Sequence, residues 1–436
     1  MSFRIGSIEI FEVPMELRTA HDSSSHSVLE LRHPLVRMKC NGLVGWGECP
    51  VLNDPYYVGE TPETSWAIFQ DFLVPLTLGA TWSTPDDFIA LYDKIQENTF
   101  ARYAFEAAAW DIFAQARGQS LAQAFGLAAK GLWDDEYGNS STVDFGQMRE
   151  RIDVGVSLGL GENNYIPECL EKGYKRIKLK ITPDRAEQIL REFREDFPDV
   201  ILTADANGAY QWPKDRERLL AFDKFKLDYL EEPLRKRHFS EFADLAKTMK
   251  TPICYDESVR SFADALTAIE FGGAGVIAIK PGRVGGVLEA IRIHNACLAK
   301  DIPVWHGGMY AYGIGRAGDV ALSSLPGFTL PGDVSGSDRY FKDDLITPIF
   351  RVEKGQIEVP TKPGLGVEVD EDRIRKTSLR TLEGTLTPGG ALRIRATDGP
   401  VTRTSTRSTE ARETVLNRQV GFMDETPRVK RVSNLG

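Results

Sequence analysis

A regular spacing of charged residues is the feature of this sequence that most constrains its fold. From about residue 151, short apolar segments alternate with stretches of helical period. The eight candidate strands are, in order, RIDVGVSL, RIKLKI, ILTADAN, YLEEP, ICYDES, VIAIKP, VWHGGM and TLPGDV. The segment ends carry polar side chains at intervals of 24 to 27 residues: Lys178, Asp205, Glu231, Asp256, Lys280 and His306. One strand and one helix of a (β/α) barrel together take about this length. The pattern therefore predicts an α/β fold in which parallel strands alternate with helices.

The rest of the chain does not follow this pattern. Residues 1–150 combine strand-like segments with helical ones and predict a separate α+β domain, whereas residues 151–345 hold the predicted barrel. Residues 372–436 carry 13 Lys or Arg against seven Asp or Glu, with Phe422 as the only aromatic residue. Such a composition predicts a weakly ordered basic extension, or one that binds an acidic partner.

Composition argues against several other classes of protein. The 436 residues include 53 Lys and Arg against 63 Asp and Glu, so the net charge is −10 and neither nucleic acid nor an anionic membrane is an expected partner. The five cysteines are an odd number without a C-x-x-C pair, which argues against a disulfide framework or a zinc ribbon. No run of 18 apolar residues and no signal-peptide pattern occurs, and a cytoplasmic location is expected.

Three carboxylates, Asp205, Glu231 and Asp256, end consecutive predicted strands. In a (β/α) barrel these ends meet at the face that carries the active site. Burying three uncompensated carboxylates together costs several kcal/mol for each, so a divalent cation is expected between them. Oxygen ligands that leave positions for water and substrate favour Mg²⁺. Any one of the three, taken alone, is equally consistent with a surface cap or an ion-pair partner.

Lysines flank the three carboxylates on both sides. Lys178 and Lys180 alternate with Leu179 and are expected to point into the barrel, and Lys280 ends the strand after Asp256, across the barrel from Lys180. A lysine beside a cation and a second lysine is expected to have a pKa lowered toward neutrality, as a general base requires. Such a base would remove the proton α to a carboxylate that the metal binds, and an enediolate would result.

Several motifs carry a resemblance to a known family. The segments KLK, TADAN, LEEP, YDES and IKPGRVGG are similar to those of the muconate-lactonizing subgroup of the enolase superfamily, in which a Lys base works with Mg²⁺. GWGECPVL, IPVWHGGM, GIGRA and LPGDVSGSDRY resemble the branch of o-succinylbenzoate synthases and N-acylamino acid racemases. The resemblance covers about residues 1–370.

The resemblance implies a more detailed fold and site. The fold would be a (β/α)7β barrel, a modified TIM barrel, with an α+β N-terminal capping domain and a return segment, residues 346–371, that packs on that domain. It also implies a homo-oligomer, and Mn²⁺ as a substitute for Mg²⁺. The implied residues are the metal ligands Asp205, Glu231 and Asp256, the acid/base pair Lys180 and Lys280, the supporting cation Lys178, and the substrate-binding residues Tyr57, Ser157, Asn207, Gly308 and Met309.

The chain departs from this family pattern on the seventh predicted strand and after it. Tyr310, Ala311 and Tyr312 stand where the branch usually has Leu, Glu and Ser or Thr, which is expected to alter the wall of the pocket. His306 replaces a small or apolar residue and is a candidate for substrate binding. A packed, hydrogen-bonded histidine is the alternative interpretation of that position.

The expected function is Mg²⁺-dependent removal of the proton α to the carboxylate of a small-molecule substrate, in an N-acylamino acid racemase, an o-succinylbenzoate synthase or both. Another cycloisomerase, epimerase or dehydratase of the superfamily is the alternative. Ala311 disfavours muconate-type cycloisomerisation because a Glu is expected there, and Lys280 disfavours a dehydratase that pairs His306 with an Asp. An alternative of a different class is a non-catalytic barrel that binds a partner through its basic tail.

Overall fold

An antiparallel sheet forms the first part of the fold. The computed structural model describes residues 1–22, 27–138, 143–159 and 161–398. The first three strands pair in chain order; they are β1 (Phe3–Asp22), β2 (Ser27–Cys40) and β3 (Leu43–Glu48).

This sheet is buried on both faces. Alternate residues of a strand point to opposite sides. Ile8 and Ile10 of β1 accordingly lie in one apolar cluster, and Phe11 and Val13 lie in another, larger one. The larger cluster continues into the barrel, so the sheet packs against both the helices that follow it and the second half of the fold.

Helices cover the face of the sheet that carries Ile8 and Ile10. α4 packs closely on β3, because a side chain at Gly47 would place its Cβ 1.9 Å from the carbonyl oxygen of Ala104. Thr61, Thr84 and Ser120 cap three of these helices with their hydroxyl groups. The elements are α1 (Pro62–Ile68), a π-helical turn (Phe69–Leu73), α2 (Val74–Thr77), β4 (Thr81–Trp82), α3 (Pro85–Ala90), α4 (Thr99–Ala116) and α5 (Leu121–Tyr137).

Seven parallel strands form the barrel sheet, in the order β12-β11-β10-β9-β8-β7-β6. They begin after a short separate strand, β5 (Arg151–Asp153). Each lies within one of the apolar segments from which the barrel was predicted. The strands are β6 (Val156–Leu158), β7 (Ile177–Lys180), β8 (Leu202–Asp205), β9 (Leu230–Glu231), β10 (Ile253–Tyr255), β11 (Val276–Ile279) and β12 (Val304–His306).

The eighth predicted strand, residues 329–334, closes the gap between the first and last strands of this sheet by single hydrogen bonds. The amide of Asp333 donates to the carbonyl of His306 at 2.8 Å, and the amide of Gly155 donates to the carbonyl of Gly332 at 2.8 Å. The segment therefore bridges both edges, and the predicted (β/α)7β barrel is confirmed.

Helices alternate with these strands, as predicted. α7, for example, buries Ile189, Leu190 and Phe193 while its charged residues face solvent. Among the described helices, none combines the length and apolarity that crossing a membrane requires. The barrel helices are α6 (Ile166–Glu171), α7 (Ala186–Asp196), α8 (Arg216–Leu220), α9 (Phe239–Ala246), α10 (Phe262–Glu270), α11 (Pro281–Val284), α12 (Val287–Leu298), α13 (Gly313–Ser323) and α14 (Ser337–Tyr340).

A buried carboxylate fixes the N-terminal sheet to the barrel. Glu48, at the end of β3, is fully buried and accepts the amides of Tyr312 and Gly315, both at 2.7 Å, at the start of α13. His33 contacts the same carboxylate at 2.7 Å. Since a helix N-terminus carries unpaired amides and partial positive charge, Glu48 both satisfies and stabilises that end of α13.

The expectation of a weakly ordered extension from residue 372 is wrong for its first part. Residues 371–398 form a helix and two strands, and β16 pairs with the edge of β1, so the sheet has the order β17-β16-β1-β2-β3 with β4 also paired to β1. Residues 399–436 lie outside the described residues. The last elements are β13 (Ile346–Thr347), β14 (Gln356–Glu358), which pairs with β5, β15 (Glu368–Val369), α15 (Glu371–Thr377), β16 (Arg380–Leu386) and β17 (Leu392–Asp398).

The free edge of β1 explains this difference. Arg380 and Thr381 gave the segment a polar composition, but Arg380 forms an ion pair with buried Glu12, and Leu382 lies fully buried in the smaller apolar cluster. The charge of Arg380, which contributed to the prediction of weak order, is therefore paired with a carboxylate of β1.

Replacing Leu382→Ala tests whether β16 is an integral strand. We expect the free energy of unfolding to fall by about 2–5 kcal/mol, because the substitution leaves a cavity in a packed core. The control Leu379→Ala removes the same atoms from a side chain that is 44% exposed. We expect this control to change the free energy of unfolding by less than about 0.5 kcal/mol. Equal effects in chemical denaturation would contradict the placement of β16.

Candidate active site

One cavity opens at the C-terminal ends of the barrel strands. Its volume is about 220 Å³, and it brings together eleven of the twelve residues that the sequence predicted for the site. His306 is the exception. The eleven are Tyr57, Ser157, Lys178, Lys180, Asp205, Asn207, Glu231, Asp256, Lys280, Gly308 and Met309; Glu257, Asp333, Lys236, Leu52 and three further tyrosines complete the wall.

Strand register places the charged residues side by side. Lys180 of β7 lies opposite Asp205 of β8, which lies opposite Glu231 of β9. In parallel strands, neighbouring residues in register project from the same face of the sheet. The order that the sequence shows, carboxylates on neighbouring strands with a lysine on the strand before them, is therefore also their order in space.

Lys178 is buried among carboxylates. Its Nζ lies 2.9 Å from Glu231 Oε2, 2.7 Å from Asp333 Oδ2 and 3.8 Å from Asp205 Oδ2. It also lies 4.6 Å above the ring of Trp305, inside the barrel. Asp333 was not predicted as a site residue. It lies near the end of the closing segment, residues 329–334, and therefore next to the end of β12.

Lys180 and Lys280 each bind one of the outer carboxylates. Lys180 Nζ lies 2.5 Å from Asp205 Oδ2 and 2.9 Å from Asn207 Oδ1. Lys280 Nζ lies 2.8 Å from Asp256 Oδ2 and 2.9 Å from the hydroxyl of Tyr57. Tyr57 comes from the N-terminal domain, so that domain contributes directly to the wall beside Lys280.

The sequence predicted lowered pKa values for lysines beside a cation, whereas in these pairings with carboxylates the lysine pKa values are raised. Burial has the largest effect and lowers the pKa of Lys180, but the charges of Asp205 and Glu231 together more than offset it, so the pKa is raised. For Lys280, burial likewise has the largest effect and lowers the pKa, but Asp256 and Tyr57 together more than offset it, so the pKa is raised. Each ammonium group is held in its charged form by a carboxylate within hydrogen-bond distance.

The carboxylates divide into two groups. Burial raises the pKa of Glu231 well above its usual value, and the neighbouring charge of Asp205 adds to that effect. Burial also acts on Asp256, but Arg283 and Lys280 outweigh it and hold that pKa low. The pKa of Glu257 is also raised, mainly by burial and next by the charge of Asp256. The pKa values of Glu231 and Glu257 are thus raised, and that of Asp256 is lowered.

The donor set suits a hard divalent cation. Asp205, Glu231, Asp256 and Glu257 supply only oxygen, and Glu257 Oε2 is buried without a hydrogen-bond partner among the described residues. Within the described part of the chain, no three His, Cys, Asp or Glu side chains form a ready-made metal cluster, since lysines and Arg283 occupy the carboxylate oxygens.

His306 does not line this cavity, and the alternative interpretation as a packed residue applies. Trp305 points into the barrel, so the next residue on the strand points outward. His306 Nε2 lies 3.4 Å from Asp319 Oδ1 of α13, and its Nδ1 lies 3.0 Å from the carbonyl of Gly307. Burial lowers the pKa of His306 to about 3, which keeps the ring neutral.

The two tyrosines that depart from the family pattern after β12, Tyr310 and Tyr312, lie in different places. Tyr310 lines the cavity and contacts Tyr340 edge-on, with ring centroids 5.1 Å apart. Tyr312 is fully buried elsewhere, where its hydroxyl donates to the carbonyls of Val13 and Leu31, both at 3.0 Å. Its expected place in the pocket wall is therefore wrong; it fixes the N-terminal sheet to the barrel.

Arg283 is a site residue that the sequence analysis quoted within a motif but gave no role. It is 1% exposed, and its Nη1 binds Asp256 Oδ1 and lies 3.3 Å from the Tyr57 hydroxyl. Its Nε donates to the carbonyl of Val259 at 2.9 Å. The sequence signal that could have identified Arg283 was its position in the motif IKPGRVGG, three residues after Lys280 and on α11.

Comparison with known proteins agrees with this architecture. Residues 5–126 match the family model described as mandelate racemase / muconate lactonizing enzyme, N-terminal domain, and residues 165–373 match the model described as enolase C-terminal domain-like. The chain belongs to the enolase superfamily. Its relatives carry enzyme names, and the chain is an enzyme of this superfamily.

Two curated members of the superfamily are similar to this chain over most of its length. An o-succinylbenzoate synthase from Geobacillus stearothermophilus is 38% identical over 86% of this chain and 96% of the relative. An N-succinylamino acid racemase from Amycolatopsis sp is 38% identical over 84% of this chain and 95% of the relative. Among solved structures, an enolase-superfamily member from Listeria innocua has a TM-score of 0.79 at 32% identity and covers 87% of this chain and 99% of that chain.

Replacing Arg283→Gln tests whether its buried contact with Asp256 stabilises the site. We expect the free energy of unfolding to fall by about 3–5 kcal/mol, because Asp256 would lose a fully buried cation. The control Arg260→Gln alters a side chain that is 40% exposed and lies 4.0 Å from Glu97, and its effect is expected to stay below about 1 kcal/mol. Similar losses in the two variants would contradict this role.

Proposed function

We propose that this enzyme removes the proton α to a substrate carboxylate, with Mg²⁺, and forms an enediolate that collapses by racemisation of an N-acylamino acid, by dehydration to o-succinylbenzoate, or by both. The relatives at 38% identity carry these two activities in their names. The observation that carries the proposal is the placement of Lys180 and Lys280 in one cavity with three carboxylates between them.

The strand order supports two opposed bases. Lys180 ends β7 and Lys280 follows β11, and three strands lie between them in the sheet. With the closing segment counted as an eighth position, the two strands are four positions apart on either side, which is diametrically opposite. A substrate bound over the carboxylates would meet one ammonium or amine group on each face of its α-carbon.

Asp205, Glu231 and Asp256 would hold the Mg²⁺. When bound, the ion supplies positive charge that stabilises the negative charge developing on the substrate carboxylate. Lys180 and Lys280 would then share the oxygens of Asp205 and Asp256 with the ion and would keep fewer of the contacts that raise their pKa values. Lys178 stays paired with Asp333 in this arrangement.

The side chains around each lysine fix where the proton moves. Asn207 accepts from Lys180 Nζ at 2.9 Å and is itself held, because its amide nitrogen donates to Glu257 at 2.8 Å. The Tyr57 hydroxyl contacts Lys280 at 2.9 Å. Racemisation uses Lys180 on one face and Lys280 on the other, whereas a syn dehydration requires only one of them.

The alternatives are less well supported. Ala311 is buried, and its carbonyl accepts from Arg316 at 2.6 Å, so the position offers no carboxylate for muconate-type cycloisomerisation. His306 does not line the cavity, which argues against a dehydratase that relies on it. A non-catalytic barrel would have no use for so many buried charges, whose desolvation is costly.

Single substitutions of the two lysines test the assignment. We expect Lys180→Ala and Lys280→Ala each to lower α-proton exchange on one enantiomer of an N-acylamino acid by about 10²–10⁴-fold, because each removes the base for one face. Exchange is followed by NMR in D₂O. The control Lys224→Ala alters a surface lysine paired with Glu187 and is expected to retain the rate. Full exchange of both enantiomers by either variant would contradict the two-base mechanism.

Metal removal tests the proposed cofactor. Treatment with EDTA is expected to abolish exchange, and Mg²⁺ or Mn²⁺ to restore it. Asp205→Asn is expected to weaken Mg²⁺ binding in calorimetry by at least tenfold, because it removes a charged oxygen ligand. Asp244→Asn, at a carboxylate 58% exposed and paired with Lys247, is the control. Undiminished turnover in EDTA would rule out the proposed dependence on metal.

A further inference from the structure

A short basic segment follows β9 at the active-site end of the barrel. Arg235, Lys236 and Arg237 are three consecutive cations in an otherwise acidic chain. Arg237 pairs with Asp264 at 2.8 Å and so points away, and Arg235 is not among the residues that line the cavity. Lys236 lines it.

Lys236 differs from the other three lysines of the cavity in its partners. Lys178, Lys180 and Lys280 each contact carboxylates within 3 Å. Lys236 contacts no carboxylate among the described residues; its Nζ donates to the carbonyl of Tyr57 at 3.3 Å and lies 5.6 Å above that ring. The side chain is exposed at the cavity mouth. Its positive charge is therefore available to a ligand.

Tyr57 relates this charge to the catalytic centre. Lys280 Nζ lies 4.9 Å from the centre of the Tyr57 ring, and Lys236 Nζ lies 5.6 Å from the same point. The separation of the two ammonium groups cannot exceed the sum of these distances. A substrate whose α-carbon is near Lys280 thus has Lys236 within reach of a substituent a few bonds long.

We propose that Lys236 binds a second carboxylate, at the far end of the acyl group, and so selects dicarboxylate substrates over monocarboxylate ones. This inference rests on the proposed function and adds a specificity-determining residue to it. A succinyl group places its terminal carboxylate carbon about 6 Å from the α-carbon when extended. This length lies within the upper limit on the separation of the two lysines. An acetyl group has no atom at that distance and no charge to pair.

The energetics favour selection rather than general attraction. At an exposed mouth a single ion pair contributes modestly, and a hydrogen bond between two charged groups strengthens it. The monocarboxylate loses nothing when Lys236 is changed, because it makes no contact there. The effect is therefore expected in the ratio of the two substrates and in KM, with kcat little changed.

The test compares N-succinyl and N-acetyl derivatives of one amino acid, by α-proton exchange, in the full-length protein with Mg²⁺. Lys236→Ala is expected to raise KM for the N-succinyl substrate about five- to tenfold and Lys236→Glu to raise it further, with the N-acetyl substrate changed less than twofold by Lys236→Ala. Arg235→Glu makes the same charge change one residue away and outside the cavity, and should preserve the ratio. Added salt should reduce the preference of the unaltered enzyme for the N-succinyl substrate.

The outcomes separate the two proposals. If the unaltered enzyme exchanges neither substrate, the proposed function fails, and this inference fails with it. If the enzyme exchanges both but Lys236→Glu alters both KM values equally, or Arg235→Glu matches its effect on the ratio, the role of Lys236 is overturned and the proposed function stands. A loss confined to the N-succinyl substrate in the Lys236 variants alone supports the inference.

Discussion

Charge pairing at the C-terminal ends of the parallel strands is the interaction on which the rest of this structure depends. Lys180 neutralises Asp205, and Lys178 lies between Glu231 and Asp333, so each of these five groups has an opposite charge within hydrogen-bond distance. Burying any of these groups alone would be costly. The barrel brings them together, and together they make the cavity both stable enough to form and polar enough for proton transfer.

The N-terminal domain is a structural part of this site. Glu48 receives the amides at the start of α13, and the Tyr312 hydroxyl donates to carbonyls of β1 and β2. These buried contacts fix the sheet against the barrel. Tyr57, from the same domain, then reaches Lys280 and lies beside Lys236. The reaction that we propose, on a carbon acid, would benefit from this closure, because water would otherwise compete for the charges of the lysines and carboxylates.

Much of the fold and most of the candidate site followed from the sequence, for a physical reason. Strand ends recur at a fixed interval in a (β/α) barrel, so Asp205, Glu231 and Lys280 could be predicted to converge before any coordinates were considered. His306 could not be placed by the same logic, since one residue of register decides whether a strand side chain faces the barrel interior or the helices. The strand at residues 380–386 was missed because its charges have partners that are remote in sequence.

The sequence by itself determined the repeating strand and helix and the order of lysines and carboxylates, on which the proposed class of chemistry rests. Tertiary structure alone decided which charges pair, that Arg283 holds Asp256, that Tyr312 belongs to the domain contact while Tyr310 faces the cavity, and that Lys236 remains without a carboxylate partner among the described residues. The reason is physical: periodicity is a local property of the chain, whereas burial and ion pairing depend on distances between segments that only folding brings together.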